Sequence, residues 1–124
     1  LRRQRQMCIR DRYGTIIDSE PNFPGADQSN VCIFADREVD RSPTGTGTSG
    51  RAAQLFLRGQ LALNQNYVNG SIVGSNFGVR VTAATKVGDF DGALTEVSGH
   101  AHIMSTNQWV LEESDPFPTG FFLR

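Results

Sequence analysis

An α+β fold, with one helix among several strands, follows from three features of the sequence. A single apolar stretch with helical character, Ala52-Ala53-Gln54-Leu55-Phe56-Leu57, follows a loop dense in threonine and glycine. Runs with strand character stand on both sides of it. The length, 124 residues with a formal net charge of −1, suits one domain rather than two. No internal repeat is visible.

Residues 1–12 differ from the remainder, with five of the twelve basic groups, one acid and no apolar periodicity. A solvated basic arm, a nucleic-acid tract or a targeting segment would each have such a composition. The run Gln4-Arg5-Gln6-Met7-Cys8-Ile9-Arg10-Asp11-Arg12 instead resembles translated sequencing-adapter DNA. Residues 1–12 are therefore expected to be a disordered artefact, and Cys8 to carry no function. Residues 13–124 then hold seven basic and twelve acidic groups, a formal charge of −5 that argues against nucleic acid as a partner. No apolar run approaches the roughly 20 residues of a membrane span, and no secretory signal is visible. Cys32 remains as a single thiol without an internal disulfide partner, which fits a reducing cytoplasm.

In chain order, Tyr13 to Asp18 reads as the tail of a strand and Ser19 to Asp27 as a loop, by its Pro, Gly and Asx content. Asn30-Val31-Cys32-Ile33-Phe34-Ala35 is nearly continuous in apolar character and is expected to be a strand buried on both faces. The helix is expected from Thr44 to about Leu63, weakened late by Gly59 and ended by Asn64-Gln65-Asn66. Tyr67–Gly74 and Phe77–Val87 alternate loosely and read as strands, with a turn over residues 87–92. Two further strands are expected over Ala93–Ile103 and Thr106–Leu111. Asp115 onward reads as loop followed by a short apolar close.

The chemistry lies in Asp40-Arg41-Ser42-Pro43-Thr44-Gly45-Thr46-Gly47-Thr48-Ser49-Gly50-Arg51. Pro43 fixes φ ahead of a turn, Gly45 and Gly47 remove side chains that would keep a ligand off the backbone, and Thr44, Thr46 and Thr48 are capping types. A helix start carries unsatisfied N–H groups and partial positive charge, so this loop is expected to cradle an anion.

Gly45 to Gly50 satisfies G-x-G-x-x-G, but no Asp or Glu occurs between Arg41 and Gly88 to hold a ribose, which argues against a dinucleotide. No Lys-Ser or Lys-Thr follows the glycines, so the phosphate loop of nucleotide hydrolases is absent. His100 and His102, two apart on an expected strand, would share a face. With no third ligand at a recognisable spacing, they read as structural or solvent-facing rather than metal-binding. Cys32 reads as a small buried apolar residue, and Trp109, Phe121 and Phe122 as core or interface aromatics.

The run Val31-Cys32-Ile33-Phe34-Ala35-Asp36, followed by Val39-Asp40-Arg41-Ser42-Pro43-Thr44-Gly45-Thr46-Gly47-Thr48, strongly resembles the second active-site motif of the proline racemase family. The likeness continues through Ser71-Ile72-Val73-Gly74-Ser75, Glu96-Val97-Ser98-Gly99-His100-Ala101-His102 and Asp115-Pro116 to Gly120-Phe121. It implies one half of a two-lobed proline racemase or diaminopimelate epimerase-like fold, a mixed sheet around a central helix. Residues 13–124 would be the C-terminal part of an enzyme about three times as long. The missing N-terminal half would carry Met-Cys-Gly-His and the catalytic cysteine.

Family racemases and epimerases carry a second cysteine where Thr44 stands. The resemblance therefore implies the branch of trans-3-hydroxy-L-proline dehydratases, in which one thiolate takes the α-proton and the 3-hydroxyl leaves as water. By matching positions, Thr44 would hydrogen-bond near the reacting carbons and the N–H groups of Gly45 and Thr46 would hold the carboxylate. Asp40 would take the ring nitrogen, and Phe34 would pack on the ring. Neither metal nor cofactor is implied. The partners implied are a small imino acid, the missing half and, as an option, a second copy in a homodimer, with no nucleic acid or membrane. The chain alone is expected to be inactive. A proline racemase or 4-hydroxyproline epimerase is the alternative within the enzyme class. Outside it, the alternative is a non-catalytic module for small carboxylates.

Overall fold

The computed structural model describes residues 14–35 and 37–121. The artefact reading of residues 1–12 falls outside them, as do Asp36 and Phe122. The described chain folds as β1 (Gly14–Ser19), β2 (Gln28–Phe34), β3 (Glu38–Val39), α1 (Gly45–Leu57), β4 (Tyr67–Ser71), β5 (Asn76–Val87) and β6 (Phe90–Ser98). Six strands form one mixed sheet in the order β1-β2-β4-β5-β6, with β3 pairing β2. Among the described residues the expected α+β class, a mixed sheet with one helix, is what is found.

The sheet explains where the functional loop sits. β1 runs antiparallel to β2 over the register from Gly14 opposite Phe34 to Ser19 opposite Ser29. β2 also pairs in parallel with β4, with Gln28 opposite Asn69 and Asn30 opposite Ser71. A parallel pair needs a crossover, and the crossover here is the loop after β3 followed by α1. The helix therefore starts just beyond the C-terminal end of β2 and returns the chain to β4. Its buried Ala52 meets Leu61, Val79 and Val81, with Leu55, Phe56, Tyr67 and Ala93 packed around them. This small core anchors the helix on β5 and β6.

Several expected elements change. The helix stops at Leu57 rather than Leu63, because Gly59 takes φ 71° and closes a left-handed cap. The N–H of Gln60 donates to the Leu55 carbonyl at 2.8 Å and that of Gly59 to Phe56 at 2.9 Å, the paired bonds of a Schellman motif. The strand expected at Ala93–Ile103 begins at Phe90 and ends at Ser98, and Thr106–Leu111 forms no strand. β2 is not buried on both faces, since only Ser29, Asn30 and Cys32 are buried along it. Trp109 and Phe121 are 89 % and 68 % exposed, so neither is a core residue among the described residues. His100 and His102 lie in irregular backbone and lack the shared strand face that their spacing suggested.

Candidate active site

The loop from Asp40 to Thr44 is built by its own side chains. The Asp40 N–H donates to the Cys32 carbonyl at 2.9 Å, which ties the loop to the end of β2. One oxygen of the Asp40 carboxylate accepts the Ser42 N–H at 2.8 Å, an Asx turn, and the other faces the Thr44 hydroxyl at 3.4 Å. The Ser42 hydroxyl accepts the Thr44 N–H at 3.1 Å. From the β4–β5 turn, Ser75 donates to the Arg41 carbonyl at 3.2 Å. Apart from the Ser75 link, every bond joins residues close in sequence, so the segment takes its shape mainly from its own side chains.

Thr44 is the N-cap of α1, at φ 63° and ψ 108°, and its side chain makes no capping bond. Positive φ in a β-branched residue is a real departure from allowed backbone geometry and costs about 1–3 kcal/mol. The capping expected of the threonines is therefore absent. The Thr44 hydroxyl turns to Asp40, and the Thr48 hydroxyl donates to the Pro43 carbonyl at 2.9 Å. As a result the N–H groups of Gly45, Thr46 and Gly47 have no hydrogen-bond partner among the described residues. Gly45 and Thr46 are exposed. Three open donors at a helix N-terminus stabilise an adjacent anion by roughly 0.3–1 kcal/mol when exposed and up to about 2 when partly buried.

The glycines divide in role. A Cβ on Gly45 would meet open space, as the cradle reading requires, whereas one on Gly47 would collide with Ile16 of β1. Gly47 thus lets β1 approach the helix start, a packing role rather than the ligand-facing role expected from sequence.

An open cleft of about 640 Å³ lies beside this loop, lined in part by Asp40, Ser42, Ser75, His100 and His102. Of the five residues predicted for the site, Asp40, Thr44, Gly45 and Thr46 are contiguous at the helix start, and Asp40 alone lines the cleft. Phe34 is half-buried at the end of β2, opposite Gly14 in register, and is not among the cleft residues. Among the described residues no group of three or more His, Cys, Asp or Glu is arranged to hold a metal. No helix among them is long and apolar enough to cross a membrane.

Sequence reasoning missed Ser75, which tethers the loop, and a buried set beneath it: Asn30, Thr48 and Asn69, which are 5 %, 0 % and 1 % exposed. The usable signal was polar side chains inside otherwise strand-like or helical apolar runs, since a buried amide or hydroxyl needs a partner.

The proline racemase family profile matches residues 4–122. Over 112 residues the chain is 54 % identical to the trans-3-hydroxy-L-proline dehydratases of Burkholderia ambifaria and Azospirillum brasilense, covering 90 % of this chain and 33 % of each relative. It is 52 % identical over 112 residues to a 3-hydroxyproline 2-epimerase of Burkholderia multivorans, again covering 90 % of this chain and 33 % of the relative. Among solved structures, a hydroxyproline epimerase from Agrobacterium vitis with bound trans-4-hydroxy-L-proline superposes with a TM-score of 0.70 at 29 % identity, over 90 % of this chain and 31 % of that one. The chain spans about a third of the length of the curated relatives it matches. With the motif, the helix-start geometry and these matches in agreement, the chain belongs to the proline racemase family.

Proposed function

We propose that this chain is the C-terminal part of a cofactor-independent trans-3-hydroxy-L-proline dehydratase, a hydro-lyase producing Δ1-pyrroline-2-carboxylate and water. The observation that carries the reading is the pairing, at one helix start, of open N–H donors at Gly45 and Thr46 with the Asp40 carboxylate. An imino acid is a zwitterion, and these two features complement its two ends. The open donors take the substrate carboxylate and Asp40 takes the protonated ring nitrogen. The Thr44 hydroxyl, beside Asp40, lies between them along the chain.

Thr44 selects the reaction. Racemisation by two bases needs a proton donor and acceptor on each face of the α-carbon. A thiol of pKa about 8.5, lowered further at a helix N-terminus, can serve; a threonine hydroxyl is far too weak an acid. With one face deprived of a base, abstraction of the α-proton by a thiolate from the remainder of the longer protein leads to loss of the 3-hydroxyl as water. The enamine so formed then tautomerises to the cyclic imine. Thr44 contributes a hydrogen bond near the reacting carbons, and Phe34 packs on the ring once the other half closes over it. The relatives at 54 % identity support the dehydratase branch. The buried free thiol of Cys32 accords with a reducing cytoplasm.

The 52 % identical 3-hydroxyproline 2-epimerase favours epimerisation as a second reading. Incubating the full-length protein with trans-3-hydroxy-L-proline and following products by mass spectrometry separates the two. Dehydration yields the cyclic imine, and epimerisation yields an isomer of unchanged mass. If neither forms and calorimetry still detects binding of the imino acid, the non-catalytic carboxylate module takes their place.

A further inference from the structure

The Pro43 carbonyl points into the interior and accepts two hydrogen bonds, from the Asn30 amide at 3.0 Å and from the Thr48 hydroxyl at 2.9 Å. The Thr48 oxygen accepts in turn from the Asn69 amide at 2.9 Å. These three side chains come from β2, α1 and β4 and are all buried. The carbonyl oxygens of both amides, Asn30 Oδ1 and Asn69 Oδ1, are themselves buried and accept no hydrogen bond. Each asparagine therefore uses only its donor. For stability alone, a buried amide with an unpaired oxygen is inferior to an apolar side chain of similar shape.

The donors act on one peptide unit. Pro43 C=O and Thr44 N–H share a plane. The oxygen is held inward by two donors, and the N–H is held by the Ser42 hydroxyl at 3.1 Å. On the other side of Thr44, its own carbonyl accepts the Thr48 N–H at 2.8 Å. With both flanking peptides pinned, the strained φ of 63° at Thr44 is over-determined, the condition under which such strain persists.

We propose that Asn30, Thr48 and Asn69 are positioning residues: through the Pro43 carbonyl they hold Thr44 in its strained conformation and so aim its hydroxyl at the reacting carbons. The catalytic half of this statement rests on the dehydratase reading above, and the conformational half does not. The residues themselves touch no substrate. Their effect passes through Pro43 and Thr44.

The test uses the full-length protein carrying this segment. Thr48→Val removes the hydroxyl with little change of shape, and Thr48→Ser keeps it. With trans-3-hydroxy-L-proline as substrate, Thr48→Val lowers kcat on the order of 10²-fold, the scale of a misplaced reacting group, while KM moves much less. Thr48→Ser restores most of the loss, which simple packing damage would not allow. A second readout needs no activity. Thr44→Gly relieves the strain and raises the melting temperature in the wild-type background, and raises it less when Thr48→Val is already present, because the backbone has relaxed. Should Thr48→Val not fold, Asn69→Leu, one bond further from Pro43, gives both patterns at smaller amplitude. An unchanged kcat in a folded Thr48→Val or Asn69→Leu protein overturns the catalytic half. Equal melting gains from Thr44→Gly with and without the network substitution overturn the conformational half, even where the wild-type protein shows no dehydratase activity.

Discussion

The loop 40–44 leading into α1 and the segment 99–121 are both irregular backbone, yet they are held in opposite ways. At the loop, Asp40 and Ser42 bond to nearby backbone, Thr48 of the first turn of α1 bonds back to Pro43, and Asn30 and Asn69 reach in from neighbouring strands. In the segment, Ile103, Met104, Trp109 and Val110 are 96 %, 88 %, 89 % and 82 % exposed. Its hydrogen bonds among the described residues are all internal, such as Asp115 to Glu112 and Gly120 to Phe117. Directional bonds from buried polar groups fix an irregular backbone without regular structure, because each has one geometry that satisfies it. Apolar side chains specify a shape only against a facing surface, and Ile103, Trp109 and Val110 are left almost wholly exposed among the described residues.

The largest expected effect comes from truncating one apolar side chain in each setting. Leu61→Ala, in the core under α1 at 4 % exposure, should lose about 2–5 kcal/mol in urea unfolding of the full-length protein. Trp109→Ala on the isolated 124-residue chain should change stability by less than about 0.5 kcal/mol, despite the larger side chain. A comparable loss at both sites would erase the contrast.

Legibility from sequence follows the same division. The helix start, the turn at Pro43 and the two strands joined by the turn at 87–92 were readable because their determinants are local in sequence, whereas the Asx turn of Asp40 and the Ser42 bond were not read. The helix end was misplaced because Gly59 was read as a weak helix residue rather than as the left-handed cap it forms. The strand expected at 106–111 is absent because alternation reports a face and not a partner. Asn30 and Asn69 were invisible as site residues: Asn30 reaches the Pro43 carbonyl directly and Asn69 only through the Thr48 hydroxyl, from two strands whose Gln28 and Tyr67, 39 residues apart along the chain, also bond to each other.

A smaller effect tests the loop itself. Thr44→Gly removes a β-branched side chain from positive φ, and after the entropic cost of glycine the net gain should be about 1 kcal/mol. Thermal unfolding should show the gain together with a loss of turnover, so that stability and activity move in opposite directions at one residue.

Smaller again is a dependence on pH. Burial raises the pKa of the Tyr67 hydroxyl above its ordinary 10.0, an effect that the nearby Arg51 partly opposes. The fold thus favours the neutral phenol. The stabilisation is complete below pH 10.0 and is lost as pH rises through the higher folded value. Unfolding midpoints of wild type and Tyr67→Phe measured from neutral to alkaline pH should converge at the alkaline end. Parallel curves would mean that Tyr67 contributes no such dependence. The smallest effect belongs to the exposed pair Arg80–Glu96, 3.0 Å apart, where Glu96→Ala should cost no more than about 1 kcal/mol and less at high salt.

The most direct test of the central claim, that Thr44 at this helix start removes the second base, is hydrogen exchange at the α-carbon. Full-length protein would be incubated with α-deuterated 4-hydroxyproline, wild type beside Thr44→Cys, and the retained deuterium measured by mass spectrometry. With Thr44 leaving one face without a base, wild type should return substrate of unchanged configuration, and Thr44→Cys should give inversion accompanied by loss of deuterium. Inversion by the wild-type protein at a rate matching Thr44→Cys would contradict that claim.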